Sequence, residues 1–218
     1  MSERAWRWGI RLFFWVYIGL TAWLIQDAFS FLAFNTLLAY IPIEIGFWLQ
    51  YHRFRWPIVF WLTALVWLLF YPNAPYILTD FFHLSLLRPY GFSGLIRNSL
   101  PLWTHFLLLV GIGLISAGVA QIGSERILQR MLAYWPNRWH NWLPVVRLAF
   151  YILVGIGIYI GRFLRLHTFY LLTPDLIWRP IMQMWSWHMA GFVGLMVILQ
   201  YIIWALMVYS RQTKVSGR

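Results

Sequence analysis

Two short segments hold residues whose types and spacing could do chemistry. In the first, Phe70-Tyr71-Pro72-Asn73-Ala74-Pro75-Tyr76-Ile77-Leu78-Thr79-Asp80-Phe81-Phe82-His83-Leu84, Asp80 and His83 stand at i and i+3, so a helix there puts a carboxylate and an imidazole on one face. That pairing serves general acid/base catalysis or metal binding, and it makes Asp80 and His83 the candidate catalytic residues. In the second, Gly161-Arg162-Phe163-Leu164-Arg165-Leu166-His167, two guanidinium groups share a face by the same spacing, and their planar forks suit a phosphate or carboxylate. Arg162 and Arg165, with Asn73, are candidate ligands for an anion or a lipid headgroup. Asn35, His105 and His167 are expected to support them from neighbouring segments. Neither a cofactor nor a metal can be named, the metal because it needs a third ligand. Each residue also has a plainer reading: Asp80 neutralising Arg162 or Arg165, His83 hydrogen-bonding at a membrane interface, the arginines reaching lipid phosphates, and Asn73 capping a helix whose first turn contains Pro75.

The elements that must position these residues follow from composition. The chain has 218 residues, of which 61% are hydrophobic and only 11% charged, with sixteen tryptophans and no cysteine. Such a balance excludes an ordinary soluble domain, and the lack of cysteine excludes disulfides, thiolate catalysis and cysteine-ligated metals. Six stretches approach the roughly 20 apolar residues that cross a bilayer: Trp8 to Gln26, Phe29 to Gln50, Trp56 to Tyr71, Leu100 to Ile122, Trp142 to Gly161 and Trp187 to Tyr209. The expected fold is all-α, a polytopic transmembrane bundle of about six spans in a single membrane-embedded domain, 1–218. The first run lacks small residues at its far end and is expected to remain as a span rather than be cleaved. Pro72 and Pro75 interrupt the third span, and Tyr76 to Leu87 is too short to cross, so a short interfacial or re-entrant helix is expected there.

Charge sets the orientation. A net charge of +11 in a soluble protein would point to nucleic acid, but these basic residues lie in ones and twos between apolar runs, so no nucleic-acid partner is expected. With both termini cytoplasmic, twelve of the seventeen basic residues fall inside: Arg4, Arg7, Arg11, Arg53, Arg55, Arg126, Arg130, Arg138, Arg147, Arg211, Lys214 and Arg218. Both chemical segments then lie on the outer face, with His105, His167 and His188. Glu44, two residues after Pro42, is an acid inside the second span and must face the bundle or be protonated. With Asn35 it could belong to a proton or substrate path, or it could bind a neighbouring helix. Gly157 and Gly161 form a GxxxG, which in a membrane helix lets another backbone approach.

On Asn35, Leu38-Ala39 and Ile41-Pro42, on Phe70 to Leu84, and on Gly157-Ile158-Tyr159-Ile160-Gly161-Arg162-Phe163-Leu164-Arg165, the chain resembles a bacterial family of integral membrane proteins known as domain of unknown function 1361. The resemblance runs from about Asn35 to Pro174. It departs from the family pattern where Thr104 and His105 follow Trp103, and where His167, Thr168, Phe169 and Tyr170 follow the arginines; the family tends to carry acids at both places. The resemblance implies a multi-pass protein of the cell membrane and no assigned activity. Three functions compete: an outer-face pocket that binds or acts on a lipid or lipid-linked phosphate; a structural, assembly or regulatory membrane subunit; and a transporter or channel component using Asn35 and Glu44. Membrane lipid is the expected partner, with another membrane protein or a second copy as further partners.

Overall fold

The computed structural model of the chain describes residues 2–136, 141–166 and 174–216. Its helices are α1 (Glu3–Leu24), α2 (Phe31–Tyr51), α3 (Pro57–Phe70), α4 (Asn73–Tyr76), α5 (Leu100–Leu132), α6 (Leu143–Tyr159), α7 (Pro174–Gln183) and α8 (Trp187–Ser216). A 3-10 segment, Ile77–Leu87, follows α4, and a π-helical turn, Ile160–Leu164, follows α6. Outside helices, the described residues contain only an isolated bridge between Tyr90 and Ile96.

Local chemistry accounts for the helix starts. The Ser2 side chain accepts a hydrogen bond from the Ala5 backbone N–H at the head of α1, and α3, α5 and α6 each carry a proline in the first turn, where its missing N–H costs nothing. Among the described residues, five helical stretches are long and apolar enough to cross a membrane: Phe31–Tyr51, Pro57–Leu87, Leu100–Leu132, Leu143–Phe163 and Trp187–Ser210. α1 is not among them, because Glu3, Arg4, Arg7 and Arg11 occupy its first half. It buries Ile10, Phe14 and Thr21 along one face against α2. The expected fourth span ended near Ile122, but α5 continues to Leu132. Thirty-three residues are about 50 Å of helix, well beyond the roughly 30 Å hydrocarbon layer. Its last three turns stand at the arginine-rich end.

α2 is the central element, packed on α1, α3, α4 and α5, while α6 pairs with α8. Lipid tails are as apolar as leucine, so close packing rather than exclusion from water must hold such helices together. The contacts meet that demand: Trp67 of α3 stacks on Phe150 of α6 with ring centres 5.2 Å apart, and Tyr71 packs edge-on to both. At the arginine-rich end Phe60 stacks on Tyr134, and Arg130 binds the Leu49 and His52 carbonyls at the end of α2.

Two sequence motifs interlock at the opposite end. A side chain on Gly157 would place its Cβ 2.9 Å from Pro72 Cβ, and one on Gly161 would lie 3.3 Å from the Tyr76 ring. The GxxxG that runs from α6 into the π turn is therefore the seat of the Pro72 to Tyr76 turn. Gly113 of α5 does the same for Phe81, whose ring edge lies 2.7 Å from where a Cβ would stand. The short helix expected after Tyr76 takes the 3-10 form over Ile77–Leu87. In a 3-10 helix residues i and i+3 eclipse each other, which stacks His83 directly over Asp80.

Candidate functional site

Asp80 is fully buried, and both its oxygens are engaged. Arg162 Nη1 donates to Oδ1 at 2.9 Å, and Asn35 Nδ2 donates to Oδ2 at 2.7 Å. His83 Nδ1 donates to the Asp80 backbone carbonyl at 3.1 Å and lies 3.6 Å from Oδ1. Three elements thus meet at one carboxylate: α2 through Asn35, the 3-10 segment through Asp80 and His83, and the π turn through Arg162. The π turn inserts an extra residue where α6 ends, and Arg165 then reverses the chain in the left-handed region at φ 54°. The arrangement can fix these elements against each other. Each carboxylate oxygen already accepts a hydrogen bond from the protein, and Asp80 is fully buried, so the visible role of the carboxylate is to hold Asn35 and Arg162.

Beside this cluster lies a cavity of about 280 Å³. Asn35, Asn73 and Tyr76 supply its polar wall; Leu38, Leu68, Leu69, Leu153, Ile156 and Ile160 supply most of the apolar remainder. Asn73 Nδ2 donates to the Phe70 carbonyl at 2.8 Å, which leaves its amide oxygen available as an acceptor. Asn35 is the link between cluster and cavity, since it lines the one and binds Asp80 in the other. Arg162 lies behind Tyr76, its guanidinium carbon 5.8 Å from the ring centre. Asp80, His83 and Arg162 do not line the cavity.

Leu69 and Leu153 line the cavity yet remain 44% and 51% exposed on apolar helix surfaces. The cavity is therefore open sideways, toward what would be lipid, and not only toward the membrane surface. Ile177 and Ile181 of α7, one turn apart, close part of its rim while Trp178 and Met182 face outward.

The remaining predicted residues are dispersed. His105 Nε2 binds Asp27 Oδ2 at 3.0 Å, and its ring packs on Phe29; His83 packs on Phe31. The two histidines serve different acids, and no group of three or more metal-ligating side chains occurs among the described residues. Arg165 is exposed, and His167 lies outside the described residues. Glu44 is bound by Arg11 through two hydrogen bonds of 2.9 and 2.6 Å and by the Tyr40 hydroxyl at 2.8 Å. Leu38, Ala39, Tyr40 and Ile43 are buried between Asn35 and Glu44, and no described cavity is lined by both, so a polar path along α2 finds no support.

Sequence reasoning passed over a second interhelical ion pair. Arg147 of α6 grips Glu125 of α5 through Nε and Nη2 at 2.6 and 2.8 Å, with Arg147 also stacked on Trp204. Close by, Gln121 donates to the Tyr151 hydroxyl and Gln200 to the Tyr151 carbonyl. The usable signal was scarcity: the chain has six acidic residues, and all five whose side chains are described pair with an arginine or histidine.

A family model described as a protein of unknown function, DUF1361, matches residues 34–203. No curated protein and no solved structure matches the chain.

Proposed function

Because the chain belongs to the DUF1361 family, whose description assigns no activity, function has to be read from the site, and we propose that this is a multi-pass cell-membrane protein that binds a lipid or lipid-linked molecule. The cavity between α2, α3, α6 and α7 is the binding site. The observation that carries the reading is its construction: mostly apolar walls, three convergent polar side chains, and an opening through Leu69 and Leu153 onto the lipid-facing surface. A ligand chain enters sideways among the leucines and isoleucines. Its polar end then meets Asn35, Asn73 and the Tyr76 hydroxyl. Arg165, exposed and adjacent to the cavity-lining Leu166, is placed to meet a phosphate at the mouth.

Asp80 and Arg162 act here as positioning residues. Their pair holds the π turn against the 3-10 segment, and the second carboxylate oxygen sets the Asn35 amide at the cavity wall. Native mass spectrometry of the protein released from lipid nanodiscs tests the proposal. Retained lipid should fall several-fold in Ile156→Trp, which fills the cavity, at unchanged thermal stability. Equal retention by the two proteins would contradict it.

A further inference from the structure

A different site lies at the arginine-rich end. A cavity of about 230 Å³ is lined by Arg7 and Arg11 of α1 and by Phe47, Trp48, Tyr51 and His52 around the end of α2. Arg7 and Arg11 are one helical turn apart and so present two cations to one space. Arg11 is neutralised by Glu44. Arg7 forms no ion pair among the described residues; its guanidinium sits over the Tyr51 ring at 4.3 Å, and its Nε is buried without a hydrogen-bond partner.

An orphaned buried donor on a cation is costly, and although the Tyr51 ring and the nearby Glu44 charge ease the positive charge, neither takes the Nε hydrogen bond. The acids at this end are engaged elsewhere, Glu44 by Arg11, Glu3 by Arg126 and Glu125 by Arg147. The Tyr51 hydroxyl accepts from Arg126, while Arg7 meets Tyr51 through the face of its ring rather than through the hydroxyl. What remains is a pocket with an aromatic floor, a guanidinium with unused donors, and a second guanidinium beside it. We infer that this pocket binds a phosphate group, held by Arg7 with Arg11 and His52 at its edges. The phosphate comes from an anionic lipid headgroup or from a soluble anion; the chemistry of recognition is the same.

The test compares both sources in the full-length protein. In native mass spectrometry from mixed nanodiscs, the wild type should retain phosphatidylglycerol over phosphatidylcholine, and R7Q should lower that occupancy about tenfold, the equivalent of one charge-assisted hydrogen bond. R55Q removes the same charge at the same end but outside the pocket and should leave occupancy unchanged. Calorimetric titration of inorganic phosphate into protein in phosphatidylcholine nanodiscs reads the soluble source. Binding of phosphatidylglycerol alone assigns the headgroup, and binding of inorganic phosphate assigns the soluble anion. If the wild type shows neither, or R55Q is as damaging as R7Q, the site is refuted. The wild-type arms decide the matter even if R7Q fails to fold.

Discussion

Asp80 Oδ1 accepts a hydrogen bond from Arg162 Nη1 at 2.9 Å across 82 residues of chain, and this contact ties the 3-10 segment to the π turn that follows α6. Removing Arg162 leaves the buried Asp80 charge with only Asn35 and His83 beside it, and removing the Asp80 charge leaves a part-buried guanidinium without its acid; breaking a fully buried pair costs about 3–5 kcal/mol. Asp80→Asn and Arg162→Met should each destabilise the protein by up to that amount. The double variant should lose clearly less than the sum, and a double-mutant cycle of unfolding in micelles reads the difference. Additive losses would mean that the pair does not act as a unit.

The glycine seat offers a sharper steric test. Gly157→Ala puts a methyl group against Pro72 and should cost about 1–3 kcal/mol, because neither a helix backbone nor a proline ring can yield easily. Gly191→Ala meets open space in α8 and should leave stability unchanged or raise it by up to about 1 kcal/mol, since alanine is the better helix former. Thermal unfolding of the two variants side by side checks the contrast.

Glu125 and Arg147 form a bidentate pair with both side chains about nine-tenths buried. Glu125→Leu alone and Arg147→Met alone should each be strongly destabilising. Combining them removes both charges and should recover most of the loss. Unfolding free energies of the three variants decide this.

Topology is accessible because the native chain has no cysteine. Ser85 and Arg55 are both exposed and lie at opposite ends of the bundle, whereas Ser124 is fully buried and would be a poor labelling site. A membrane-impermeant maleimide should label Ser85→Cys in intact cells and Arg55→Cys only after permeabilisation. The reverse pattern would invert the orientation.

The apolar runs were legible as helices because length and composition alone demand them, and the two polar motifs stood out because charge is so rare between them. The pairing of Asp80 with Arg162 was among the plain readings of the same scarcity. Three things were hidden for physical reasons. The seating of Phe81 at Gly113 is a contact between segments distant in sequence, which local patterning does not announce. The partner of Arg147 was obscured because Glu125 lies past the point where apolar character fades, although α5 runs on to Leu132. The role of Arg7 depends on Tyr51 arriving beneath it from another helix, and nothing in the local sequence of α1 announces that.

The central claim is that a lipid chain occupies the cavity between the two motifs. Photo-crosslinking with a lipid carrying a diazirine near its chain end, followed by peptide mapping of the wild-type protein, tests it most directly. The account predicts adducts concentrated at Leu69, Leu153 and Ile156, which line the cavity, over Leu62, Leu195 and Ile202, which are exposed apolar residues away from it. Adducts spread evenly over both sets would contradict it.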